Sequence, residues 1–146
     1  MQDICMLVGI TGNFATGKTT FLMFMKEYGL EVFDADPFVD FLYKREEIKA
    51  VIRKNFGTSV FSSQAVDKKA LAAMVFGDAQ KLRLLNSIIH PIIREELKRL
   101  DHRERIVFAE IPLLFEAGLQ SMFDKVIVVR CQEKVAMARA ANRGFT

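Results

Sequence analysis

Ile4-Cys5-Met6-Leu7-Val8-Gly9-Ile10-Thr11-Gly12-Asn13-Phe14-Ala15-Thr16-Gly17-Lys18-Thr19 carries two signals back to back. From Ile4 to Ile10 the residues are apolar without alternation, which marks a strand covered on both faces, the kind found in parallel sheets. From Gly12 to Thr19 the chain fits G-x-x-x-x-G-K-[ST]. A loop that wraps phosphates must aim backbone N–H groups inward, and glycine allows the dihedrals this needs. The helix that opens near Gly17 turns its positive end on the same anion. Lys18 reaches the outer phosphates of a bound nucleotide, and the Thr19 hydroxyl can ligate Mg²⁺. Gly12, Asn13, Phe14, Ala15, Thr16 and Gly17 form the cradle.

Outward from this loop the pattern alternates. Phe21, Leu22, Phe24, Met25 and Tyr28 recur at helical spacing, and Gly29 supplies a stop. Leu30-Glu31-Val32-Phe33 reads as a second strand, closed by Asp34-Ala35-Asp36-Pro37, where Asp before Pro suits a helix start. A mostly helical stretch follows from Asp36 to Asp101. Gly57 to Val66 lacks a period and reads as a loop or small hairpin. Asp67 and Asp78 are placed to cap helices, and Pro91 is expected to kink or split the second of these. Ile106-Val107-Phe108-Ala109-Glu110 and Val126-Ile127-Val128-Val129 are further strands, and Glu133 to Arg143 a last helix.

Strands alternating with helices imply parallel β-α-β units. The expected fold is α/β: a P-loop three-layer α/β/α arrangement with a parallel sheet and a helical insertion after strand 2. The domain expectation is a nucleotide-binding core at 1–36 and 104–146, with the insertion at 37–103.

Composition agrees with one domain of 146 residues, 51% hydrophobic and 27% charged, which argues against disorder and low-complexity classes. No apolar run is long enough to span a bilayer, and Met1-Gln2-Asp3 lacks a signal-peptide pattern. Two cysteines do not make a disulfide framework. Cys5 and Cys131 are expected to be buried, reduced thiols of a cytoplasmic protein. The net charge of +3 is uneven: residues 37–103 carry 13 Lys and Arg against 8 Asp and Glu. Such a block is either solvated surface or a region that meets an anionic ligand. Its phenylalanines have apolar neighbours instead of forming a stacking strip, so nucleic acid is not expected. A monomer is the favoured oligomeric reading.

A short chain with this loop and no Asn-Lys-x-Asp guanine-reading segment suggests a small-molecule kinase. Nucleoside- and shikimate-type kinases, or a nucleotide-binding module without turnover, are the alternatives. Asp34 and Asp36 fall where strand 2 ends, at the carboxyl edge where ligands bind in open α/β folds. Asp36 either accepts the proton of an attacking hydroxyl or caps the next helix. Glu110 ends its strand and either holds Mg²⁺ through water or is a surface carboxylate. Arg139 and Arg143, four apart, share a helix face; they either neutralise the transferring phosphoryl group or are solvated.

These residues resemble one family, the dephospho-coenzyme A kinases. The resemblance covers Gly9 through Thr20, Val32-Phe33-Asp34-Ala35-Asp36, Leu71-Ala72-Ala73-Met74-Val75-Phe76, and the His90-Pro91 signature within Leu85 to Arg94. Ile111-Pro112-Leu113-Leu114-Phe115-Glu116-Ala117-Gly118 is its most specific part. The resemblance implies ATP-dependent phosphorylation of the ribose 3′-hydroxyl of dephospho-CoA, with ATP at Ala15 to Thr20 and Mg²⁺ as cofactor. It implies Asp36 as base, Thr11 near the acceptor, and a CoA-binding insertion that includes Lys68 and His90. Lys68 stands where the family usually has Arg, which removes a bidentate fork. Leu113, Leu114, Phe115 and Glu116 would line the acceptor pocket, with Leu113 and Leu114 also packing into the core. The resemblance also implies that the rest of the lid, a fifth strand and a closing helix have no counterpart here. It therefore predicts weak ATP binding and poor turnover for the chain as it stands.

Overall fold

The computed structural model describes residues 5–13, 16–101, 105–112 and 114–142. Phe14, Ala15, Leu113 and Arg143, all candidate site residues, lie outside this set. The chain clusters into two compact units, residues 1–35 with 94–146, and residues 36–93.

The first unit holds a wholly parallel sheet. Its strands are β1 (Met6–Thr11), β2 (Glu31–Asp34), β5 (Ile106–Glu110) and β6 (Lys125–Val128), in the order β2-β5-β1-β6. The apolar run read from the sequence is β1, an inner strand, and Leu7, Val8 and Ile10 are buried. β5, the other inner strand, buries Val107 and Ala109. Both edge strands are only partly covered. Gly9 has a packing reason: a Cβ there would meet Leu114 Cδ1 at 2.8 Å and the Phe123 ring at 3.0 Å. Asp124 ties the start of β6 to β1, accepting from the Leu7 amide at 2.7 Å while its own amide donates to the Leu7 carbonyl at 2.9 Å.

Between β1 and β2 runs α1 (Lys18–Glu27). Only Leu22 of its apolar residues is buried; Phe24 is 53% and Tyr28 82% exposed. After β6 comes α6 (Glu133–Asn142), which buries no residue.

The second unit contains α3 (Glu46–Phe56), a 3₁₀ turn at Thr58–Val60 and α4 (Lys68–Phe76). Their residues Ile48, Ile52, Phe56, Val60, Leu71 and Val75 form its core. Ile48, Ile52 and Phe56 fall at i, i+4, i+8 on one face of α3, so one stripe meets the core. Gly57 to Val66 resolves as the 3₁₀ turn and an antiparallel hairpin, β3 (Phe61–Ser62) with β4 (Ala65–Val66). The small-hairpin reading of Gly57 to Val66 therefore holds.

Both aspartate caps form. Asp67 Oδ1 accepts from the amides of Lys69 and Ala70 at 3.0 and 3.1 Å. Asp78 Oδ1 accepts from Gln80 and Lys81 at 2.9 and 3.1 Å.

Two elements pass from one unit to the other: α2 (Ala35–Leu42) and α5 (Ala79–Asp101). Pro91 does not split α5, which runs unbroken through it. One missing amide and one displaced carbonyl are tolerated because Ile89 and Ile93 before and after it, and then Leu97 and Leu100, are all buried. The unit division falls at Ile93/Arg94, so the last turns of α5 go with the sheet, ten residues earlier than the sequence boundary at 103/104.

The cysteine expectation is corrected. Cys5 is exposed, with Sγ donating to the Asp101 carbonyl at 2.7 Å, and Cys131 is half-buried. Cys5 precedes the first residue of β1 and Cys131 lies beyond the end of β6, so neither shares the cover of the strand beside it. Neither forms a disulfide. No helix of the described residues is long and apolar enough to cross a membrane.

Candidate active site

The loop after β1 starts and ends on constrained glycines. Gly12 has φ 157°, and a Cβ there would collide with the Val129 carbonyl oxygen. Only glycine lets β1 turn away this close to the chain leaving β6. Gly17 has φ 101° and occupies the N-cap of α1, where no side chain accepts from the helix amides. The first-turn donors of α1 are thus left for an anion.

Lys18 is the first residue of α1, and its ammonium folds over the loop. Nζ donates to the Gly12 carbonyl at 2.7 Å and the Asn13 carbonyl at 3.0 Å. An ammonium has three donors, so these two bonds position the charge at the loop and use two of them. Thr16 is buried, and its Oγ1 donates to the Asn13 carbonyl at 2.8 Å, closing the turn from inside. Thr19 and Thr20 are exposed in the first turn of α1.

Strand register places the other candidates. Thr11 ends β1, is buried, and pairs with Val128; its carbonyl accepts from Val129 N at 2.8 Å. Glu110 ends β5, in register with Ile10 on one side and Asp34 on the other. Glu110 is only 7% exposed, so the surface-carboxylate alternative does not hold. Residues in register on parallel strands share a face, so Asp34 and Glu110 bring two carboxylates together at the carboxyl edge. Arg139 of α6 lies beside the loop, its Nη1 3.4 Å from where a Gly17 Cβ would sit.

Thr11, Gly12, Asn13 and Thr16 line one side of a cleft of about 480 Å³, within the range of small-molecule sites. Phe115 and Glu116 also line it, as do the residues from Val128 to Cys131. Leu114 turns the other way: it is fully buried against Gly9 and supports the sheet instead of lining the cleft. The segment that carries Phe115 is held by turn bonds, Gly118 N to Phe115 O and Leu119 N to Leu114 O, both 3.0 Å. Arg94 adds a longer bond at 3.3 Å to the Ala117 carbonyl. The sequence reading missed Arg94, Arg130 and Cys131. The usable signal was topological: once β6 lies beside β1, Thr11 pairs with Val128 and the next residues reach the loop.

In the second unit, Asp36 is not the helix cap. α2 starts one residue earlier, at Ala35, so Asp36 is exposed inside the first turn. Pro37 follows among the positions whose amides have no helical partner, where its ring costs nothing. Asp36 lines a second cavity, about 380 Å³, with Val39, Leu71, Val75 and Phe76. Lys68, on its rim, pairs with Asp40 at 2.6 Å. Tyr43, also lining it, keeps its phenol proton more firmly than usual, first because of burial and then because of Asp40. His90 is half-buried in α5 of the same unit.

A parallel sheet whose first strand feeds a glycine-bounded loop, with lysine opening an uncapped helix, is the nucleotide-binding core of a P-loop phosphotransferase. The family model "CoaE: Dephospho-CoA kinase" matches residues 6–145. The dephospho-CoA kinase of Chlorobaculum tepidum is 39% identical over 151 residues, covering 96% of this chain and 73% of its own. That of Geobacillus kaustophilus is 35% identical, covering 95% and 73%. Among solved structures, TT1252 from Thermus thermophilus matches with a TM-score of 0.79 at 32% identity, covering 97% of this chain and 74% of its own. The chain belongs to the dephospho-CoA kinase family. It is an ATP-dependent kinase of the last step of coenzyme A synthesis.

Proposed function

We propose that this chain transfers the γ-phosphoryl group of ATP to the ribose 3′-hydroxyl of dephospho-CoA through the residues described above. The hydroxyl oxygen bonds to the γ-phosphorus, the bond to the β,γ-bridging oxygen breaks, ADP leaves, and Asp36 takes the hydroxyl proton. The observation that carries this reading is the loop geometry: Lys18 is held by the Gly12 and Asn13 carbonyls at the start of a helix with no side-chain cap.

Phosphoryl transfer needs little covalent help from a protein, and positioning with charge stabilisation does most of it. Lys18 and the α1 amides would hold the β- and γ-phosphates. Arg139, beside Gly17, would neutralise charge that builds on the transferring group. The 36–93 unit, with its basic surplus, would bind the acceptor, whose pyrophosphate is anionic. Phe115 and Glu116 line the cleft beside the loop in the first unit.

The donor set suits Mg²⁺, which takes oxygen ligands, keeps several waters and is often held by one or two carboxylates plus phosphates. Thr19 offers a hydroxyl, and Glu110 beside Asp34 offers buried carboxylate oxygen. When bound, the ion would neutralise phosphate charge; Thr19 would hold it directly and Glu110 through water.

The test is a coupled ADP-release assay with Asp36→Asn. Turnover with dephospho-CoA is expected to fall by about 10²–10⁴-fold, the usual contribution of a general base, while ATP affinity by calorimetry stays unchanged. Equal loss of both would remove Asp36 from the base role. Turnover of shikimate or a nucleoside with dephospho-CoA inert would overturn the acceptor.

A further inference from the structure

The groove in the 36–93 unit holds an aromatic side chain that its own packing does not explain. Phe76 is the last residue of α4 and 85% exposed, while Val75 before it is 5% exposed and part of the core. A lone exposed phenylalanine carries no message. This one lines the same cavity as Asp36, across an apolar wall of Val39, Leu71, Ala72 and Val75. Tyr43, the other ring there, packs against the core. Phe76 is therefore the ring left with its faces available.

The inference rests on the reading of Asp36 as the acceptor's base. If the 3′-hydroxyl meets Asp36, the adenine joined to that same ribose lies one sugar ring away, within the same groove. We propose that Phe76 is the stacking platform for the adenine of dephospho-CoA, and so selects an adenosine-bearing acceptor. The apolar wall takes the other face or edge of the base. The platform reads the acceptor's base, not that of ATP, whose phosphates belong to the loop of the other unit.

Base–aromatic stacking at an exposed position corresponds to an effect of about fivefold to tenfold on binding. Phe76→Leu is expected to raise KM for dephospho-CoA by that factor, with kcat and KM for ATP unchanged. Phe76→Tyr, which keeps the ring, restores the acceptor KM. The chain has no tryptophan, so Phe76→Trp installs a single reporter. Its emission is expected to be quenched saturably by dephospho-CoA without ATP. 4′-Phosphopantetheine, which has no adenine, should not quench it, and ATP should quench it less than dephospho-CoA.

An unchanged acceptor KM in Phe76→Leu, equal quenching by 4′-phosphopantetheine, or stronger quenching by ATP would overturn the proposal. Adding Asp36→Asn to the reporter separates the two readings. Quenching kept with turnover lost supports both. Quenching kept with turnover kept removes the base role and leaves the platform. No quenching in the reporter alone removes the platform, whatever Asp36→Asn does.

Discussion

The two units build their sites from different materials. In the sheet unit the site is mostly backbone. It is built from the amides at the start of α1, the carbonyls of Gly12 and Asn13 and the ends of β1, β5 and β6, with Lys18 and Thr16 fastened to loop carbonyls. In the 36–93 unit the groove is side chains on helices: Asp36 on α2, Leu71 and Phe76 on α4, Lys68 paired to Asp40. A backbone site suits a polyphosphate, which is the same in every nucleotide. A side-chain site suits the proposed acceptor, which must be told from other alcohols. Damage to the first should therefore cost chemistry and folding together, and damage to the second should cost acceptor selection.

The largest expected effect tests the first half of that contrast. Lys18→Ala removes the ammonium proposed to hold the outer phosphates and both of its bonds to the loop's carbonyls. Loss of one preorganised charge-stabilising donor corresponds to about 10²–10³-fold in kcat. The Phe76→Trp reporter in the same chain should still be quenched by dephospho-CoA. A kcat loss under about tenfold would mean that the loop does not stabilise the transferring group.

Gly12→Ala is expected to be smaller in kcat and larger in stability. The new methyl would strike the Val129 carbonyl and come within 3.1 Å of Thr16 Oγ1. The neighbour is backbone leaving β6, so it cannot rotate aside. Overpacking of this kind costs about 1–3 kcal/mol, read as a lower urea midpoint, with ATP affinity reduced in a calorimetric titration. An unchanged midpoint with intact ATP binding would show that β6 and the loop can move apart.

What could be read from the sequence was what is local. The strand and loop from Met6 to Lys18, the caps at Asp67 and Asp78, and the helix stop at Gly29 depend on neighbours a few residues away. What could not be read depends on strands or faces meeting. Periodicity told which residues of α1 share a face, but not that Phe24 and Tyr28 would remain exposed. Glu110 looked as much surface as site until Asp34 and Ile10 were set beside it by register. Arg130 and Cys131 carried no motif; they join the cleft because β6 lies next to β1. Phe76 carried no signal of its exposure, and only its place at the end of α4 puts it outside.

The smallest expected effect concerns the acid sensitivity of the side-chain unit. Asp78 caps α5, and the Lys81 amide first, then the Gln80 amide, hold its carboxyl below the usual carboxylate range. A carboxyl whose folded pKa is depressed contributes stability above its unfolded pKa, about 3.9, and loses it as pH falls through the folded value. The Tm gap between wild type and Asp78→Ala should be widest near neutral pH. It should narrow below about pH 4, as protonation weakens the wild-type cap to match the variant. Asp78→Asn, an uncharged cap, should keep its contribution across the same range. A wild-type to Asp78→Ala gap that did not change with pH would mean that the position of the capping oxygen matters and its charge does not. The anchoring of α5 would then depend on shape alone, as the glycine-bounded loop of the other unit does at Gly12.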